Sequence, residues 1–167
     1  MKRICLLIAT IAVTLLLHAG TNVEPPTAPE LEFAFQLHVE LGETFTCGET
    51  QHGTRTVIPI MGGTFEGPAI KGTIIPGGAD YQLGNTTLGR TEVEAIYCIR
   101  TDDGVNIHVR NWGIITLGND EFYFTCQPKF EAPADSKYAW INNKIFVCRP
   151  DFNVKASGIT LNVWYVK

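Results

Sequence analysis

Charge is what this sequence has little of. Asp, Glu, Lys and Arg make up 18% of its 167 residues, and 13 basic side chains face 17 acidic ones for a formal net charge of −4. No Lys/Arg cluster stands out anywhere along the chain. Nucleic acid is therefore not expected as a partner, because phosphate recognition needs a concentrated basic surface. An anionic membrane surface is not expected for the same reason. Close Cys-x-x-Cys pairs are missing, which removes the usual zinc frameworks. GxSxG, HExxH, GxxxxGK and GxGxxG are missing too, so motif-borne hydrolase, metalloprotease and nucleotide chemistries lack support. The adjacent acids Asp102 and Asp103 sit in a turn signal rather than flanking a cleft, which leaves glycosidase chemistry no visible basis. Neither a metal nor a cofactor is expected. Long helical periodicity, internal repeats and low-complexity segments are likewise absent.

What is present begins with an export pattern. Lys2 and Arg3 precede an apolar run from Ile4 to Leu17, and small residues follow at Ala19 and Gly20. That order predicts a signal peptide over 1–20. The run is too short to span a bilayer, which takes roughly 20 apolar residues, so no stable membrane anchor is expected. Pro25, Pro26 and Pro29 mark 21–30 as an extended tether, and 31–167 has the length of one domain. The expected location is secreted, or periplasmic in a Gram-negative source. Cys47, Cys98, Cys126 and Cys148 remain after cleavage. An oxidising compartment would permit up to two disulfides among them; they read equally well as small buried hydrophobes.

Residues alternate with a period of two almost throughout. Leu31, Phe33, Phe35, Leu37, Val39 and Leu41 interleave with Glu32, Ala34, Gln36, His38 and Glu40, the pattern of a half-buried strand. The alternation returns at 105–110 and 159–165, and shorter β-rich runs cover 56–61, 70–75, 94–101, 122–126 and 144–149. Asp102-Asp103-Gly104 is a hairpin signal. Gly62-Gly63, Gly67-Pro68, Gly77-Gly78, Gly118-Asn119-Asp120 and Pro150-Asp151 read as further breaks. Only 135–142 offers a helical turn. The sequence thus predicts an all-β fold, a single closed antiparallel β-barrel of about eight to nine strands. The lumen of such a barrel is just wide enough for packed side chains or one small ligand.

Three ordered segments resemble a known family. The first runs from Ile60-Met61-Gly62-Gly63-Thr64-Phe65-Glu66-Gly67-Pro68 through Lys71-Gly72 to Pro76-Gly77-Gly78-Ala79-Asp80-Tyr81-Gln82. The second is Arg100 to Asn111 followed by Gly113. The third joins Pro128-Lys129-Phe130-Glu131 to Tyr138-Ala139-Trp140-Ile141-Asn142 and Ile145-Phe146-Val147. Together they resemble the domain of unknown function 3237 family of bacteria and fungi, across nearly the whole mature domain. That resemblance implies a compact antiparallel β-barrel and no particular activity. Tyr81 stands where Trp is common in the motif.

Candidate site residues follow from side-chain chemistry. Glycines beside Asp80 and Gln82 would let them sit at a barrel mouth, with Asp80 as general base or hydroxyl ligand; a carboxylate capping loop amides is the plainer role. His108 and Arg110 share one strand face, together with Asn106. If that face is lumenal, His108 would shuttle a proton and Arg110 would hold an anion; otherwise they are solvated residues. Tyr138, Trp140 and Asn142 would close a pocket over a ring or plug one barrel end. Arg55, beside His52, would line the same mouth. The expected function is an exported small-molecule-binding barrel, open as to catalysis. As an enzyme it would be a cofactor-free isomerase, cyclase or lyase, moving protons on an oxygenated apolar or aromatic, polyketide-like compound. The alternative is a fully packed interaction module. A homodimer would suit strands that are apolar on both faces.

Overall fold

The computed structural model describes residues 24–118, 121–151 and 158–167. The expected signal peptide lies outside the described residues, as do Asn119 and Asp120 of one expected break. Residues 24–30 of the tether are exposed and outside any strand.

Nine strands account for most of the described chain: β1 Leu31–Leu41, β2 Phe45–Thr50, β3 Gly53–Glu66, β4 Lys71–Asn85, β5 Arg90–Thr101, β6 Asn106–Gly118, β7 Glu121–Glu131, β8 Phe146–Asp151 and β9 Ile159–Val166. They pair antiparallel in the order β1-β9-β8-β7-β6-β5-β4-β3-β2, and β1 also pairs with β3. The second pairing closes β1 and β3–β9 into an eight-stranded barrel and leaves β2 as an extra strand on β3. All-β patterning therefore gives the expected closed barrel, and closure removes the unpaired edges that an open sheet would expose.

Two expected breaks are bends instead. Gly62-Gly63 lies within β3 and Gly77-Gly78 within β4. Opposite Cys98 to Ile96 of β5, β4 spends four steps, from Ile75 to Ala79, against two. Glycine inside a strand marks such a bulge or a close backbone approach. Gly63 shows both: its φ is +129°, and a Cβ there would lie 2.0 Å from the His38 carbonyl oxygen. By contrast, Asp102-Asp103-Gly104 forms the expected β5–β6 turn, with Gly104 at φ +89°. The expected helical turn is a 3-10 segment, Ala139–Asn143.

The lumen divides into two halves. Towards the end carrying the β5–β6 turn, phenylalanines fill it edge-to-face: Phe35 meets Phe130 at 5.3 Å between centroids, and Phe130 meets Phe146 at 4.9 Å. Ile99, Ile107 and Val109 complete that half with no exposure. Ile141 of the 3-10 segment is buried and joins this core, stoppering the end. The half towards the β4–β5 hairpin is less filled, and the site lies there.

Candidate functional site

A cavity of about 90 Å³ occupies the less filled half of the lumen. Its walls are aliphatic and aromatic, including Val39, Ile60, Val93, Phe124 and Leu161. One water needs roughly 10–15 Å³ measured this way, so several waters or one compact organic group would fit. Drug-sized ligands usually occupy about 300 Å³ or more. Only the reacting end of a larger compound would therefore enter.

Four polar side chains interrupt this apolar wall: Asp80, Gln82, Tyr97 and Asn111. Asp80 and Asn111 are set by strand register. Asp80 of β4 pairs with Ala95 of β5, and Ala95 pairs with Asn111 of β6. Paired residues on neighbouring strands share a face, so the three form one row across the wall. The end members are separated by two strand spacings, roughly 10 Å between Cα atoms. Ala95 between them is too small to fill the interval, which becomes the cavity floor.

Asp80 is held by two donors. Gln82 Nε2 donates to Oδ2 at 2.7 Å, and the Glu94 backbone N–H donates to Oδ1 at 2.9 Å. The β4–β5 ladder has no paired residues at Tyr81 and Gln82, which leaves the Glu94 amide free to bond the carboxylate. The Tyr81 carbonyl instead accepts Arg55 Nη1 at 3.2 Å. Burial raises the Asp80 carboxyl above its ordinary range, against the lowering effect of the Gln82 and Glu94 bonds. A buried carboxyl disfavours its charged form, and Asp80 is the only charged-type residue among the described residues lining the cavity. Burial also raises the Tyr97 hydroxyl, with the Cys148 and Cys126 sulfurs adding to the effect. Tyr97 is thus a neutral donor.

Asn111 is 4% exposed, and its side-chain oxygen has no hydrogen-bond partner among the described residues. An unpaired buried acceptor costs roughly 1–3 kcal/mol, so a group that donates to it would be welcome. Asn111 closes the second of the three ordered segments, a resemblance that assigns it no role. The available signal was parity: Ile107 and Val109 precede it on the inward face of β6, so a polar residue two further on is an anomaly.

The same parity sends other candidates outward. His108 and Arg110 alternate with fully buried Ile107 and Val109. Arg110 is 61% exposed and ion-paired to Glu94, Nε lying 2.7 Å from Oε1. His108 Nδ1 lies 4.0 Å from Glu131 Oε2, and Asn106 accepts Arg100 Nε at 2.8 Å. Of the two readings of this face the solvated one therefore applies to His108 and Arg110: no cation faces the lumen among the described residues, so no lumenal cation is available to hold an anion.

Tyr138, Trp140 and Asn142 belong to the stoppered end. Tyr138 is buried and donates to Asp103 Oδ1 at 2.8 Å. Trp140 packs against Tyr165 and Phe146. Asn142 clasps Ala132, accepting its N–H at 2.8 Å and donating to its carbonyl at 2.9 Å. These contacts make the three a plug rather than a pocket lid. Arg55 is bonded to backbone at the open end and does not line the cavity. Of the eight expected site residues, the structure brings only Asp80 and Gln82 into the lumen. Among the described residues no group of His, Cys, Asp and Glu is arranged to hold a metal.

A closed antiparallel barrel with a half-filled lumen and a carboxyl-bearing apolar pocket is the class of protein defined by this fold and site. The chain belongs to the family described as protein of unknown function DUF3237, whose model matches residues 29–166. A Rhodopseudomonas palustris UPF0311 protein is 32% identical over 133 residues, covering 71% of this chain and 85% of that one. The crystal structure of a conserved R. palustris protein of unknown function superposes with a TM-score of 0.75 at 29% identity, over 85% of this chain and all of that one. A hydroalkoxylation enzyme from Penicillium herquei is 30% identical over 118 residues, 71% of this chain and 72% of its own. The crystal structure of an enzyme from P. herquei has a TM-score of 0.69 at 25% identity, over 87% of this chain and 99% of that one.

Proposed function

We propose that the lumen binds the reacting end of an oxygenated, mainly apolar compound and that Asp80 transfers a proton to or from it without a cofactor. The observation that carries this reading is the Asp80–Ala95–Asn111 row. It sets a carboxyl with raised proton affinity opposite an unsatisfied buried acceptor, in a pocket otherwise apolar. Groups of this kind suit proton-transfer catalysis, where a carboxyl tuned upward by burial works nearer neutral pH.

The likeness to a hydroalkoxylation enzyme supports an isomerase- or lyase-like addition as the chemistry. Hydroalkoxylation adds an O–H across a carbon–carbon double bond, and no atom is lost. Neutral Asp80 would protonate one alkene carbon. As the hydroxyl oxygen bonds to the other carbon, Asp80 would recover a proton from that hydroxyl. Asn111 would accept a hydrogen bond from a second donor group of the compound and so orient it.

Phenols with a pendant alkene test this directly. Incubated with the protein in D2O, they should yield a cyclic isomer carrying one deuterium on carbon, and Asp80→Asn should abolish it. Ligand-dependent stabilisation with no turnover would reduce the proposal to a binding barrel. Absence of both would sink it.

A further inference from the structure

We infer that Cys126 and Cys148 are a disulfide pair that latches the β7–β8 seam of the barrel. Among the described residues, Cys126 of β7 and Cys148 of β8 pair directly across the ladder. Both cysteines are buried, at 3% and 1% exposure, and as cross-strand partners they project to the same face. Antiparallel partners lie about 4.5–5.5 Å apart between Cα atoms, within the range that a disulfide spans. Gly113, the β6 partner of Cys126, is what admits the sulfur: a Cβ there would lie 2.5 Å from Cys126 Sγ. The other two cysteines do not compete. Cys47 is exposed on β2, and Cys98 pairs across the ladder with His108 of β6 and Ile75 of β4.

The bond forms by thiol–disulfide exchange. One cysteine thiolate attacks a sulfur of oxidised glutathione, releasing one glutathione thiolate and leaving a mixed disulfide. The second cysteine thiolate then displaces the other glutathione. Two protein thiols give up two protons and two electrons, and one glutathione disulfide becomes two thiols. In the folded barrel the Cys126 sulfur and burial hold the Cys148 thiol above its ordinary range. Exchange needs the thiolate, so it belongs to folding, before the seam closes.

The decisive experiment refolds the full-length chain carrying Cys5→Ser, Cys47→Ser and Cys98→Ser in a redox buffer of reduced and oxidised glutathione. The expected product is about 2 Da lighter than the reduced chain, resists alkylation after denaturation, and yields one peptide pair joined through Cys126 and Cys148. Reduction should lower Tm by about 5–10 °C, as expected for a closed loop of this length in a domain of this size. A folded product in which both cysteines alkylate, or carry glutathione singly, would overturn the inference. If refolding itself fails, the same mapping on the unsubstituted chain, produced in an oxidising compartment, decides: any other pairing of Cys126 or Cys148, or free thiols at both positions, defeats it.

Discussion

Asp80 and Asn111 are both direct cross-strand partners of Ala95, one from each side, so an acid and an unpaired acceptor face each other over a methyl group. Register alone creates this relationship. A slip of one residue in either ladder would turn one of them to solvent. Mutations in this row should consequently separate ligand recognition from folding.

Asn111→Leu removes a buried oxygen that has no partner among the described residues and substitutes a side chain of similar size. The variant should gain about 1 kcal/mol in denaturant unfolding, since an unsatisfied group is relieved. It should also lose ligand-dependent stabilisation. A variant both destabilised and still able to bind would contradict the role assigned to Asn111.

Asp80 sets a pH signature. Its folded proton affinity is raised by burial, so the folded state holds the proton where the unfolded state has released it. Stability should then fall as pH rises from about 3.9, the unfolded value, through the higher folded value. Asp80→Asn should flatten that part of the profile while eliminating turnover. Thermal melts from pH 3 to 8 on both proteins measure it, and parallel curves would refute the shift.

Ala95→Leu and Arg110→Ala should behave oppositely. Added methylenes on the cavity floor should weaken binding at least tenfold, with an overpacking cost of about 1–3 kcal/mol. Arg110→Ala breaks an exposed ion pair with Glu94, worth at most about 1 kcal/mol, and should leave binding unchanged. Calorimetric titration of both variants settles the comparison. Loss of binding in Arg110→Ala would return that residue to the site.

The stoppered end should respond to acid with the reverse sign. Asp103 accepts from Lys137, Thr101 and Tyr138, which hold its carboxyl well below the ordinary range. Its contribution is present above the unfolded value near 3.9 and is lost as pH falls through the lower folded one. Asp103→Asn should lower Tm at pH 7, and the difference should shrink towards pH 2. An unchanged difference would mean that the contacts do not depend on charge.

Much of this barrel was legible because period-two alternation survives in β1, β6 and β9, where inward residues are apolar and outward ones polar. The same alternation names faces without naming the inside. His108 and Arg110 could be read as a lumenal wall until burial of Ile107 and Val109 decided the question. Asn111 was legible from parity alone, as a polar residue continuing an apolar face. The glycine pairs misled for a different reason. A Gly-Gly in a tight turn and one beneath a crossing strand look identical locally, and only the His38 carbonyl beside Gly63 tells them apart. Tyr138 and Asp103 are 35 residues apart, and no local pattern announces such a pair.

Strand β1 lies between β9 and β3, joined to the last strand of the chain on one side and to an early one on the other. The Lys167 amide bonds the Glu30 carbonyl at 3.0 Å, so the domain begins and ends at one spot. A growing chain can lay β3 through β8 side by side as they emerge, but the ring stays open until β9 arrives to pair with β1. Closing it joins segments more than a hundred positions apart, the slow kind of contact. Joining residue 167 to residue 30 and cutting at the 86–89 turn should give a permuted barrel with the same pocket and a different order of assembly.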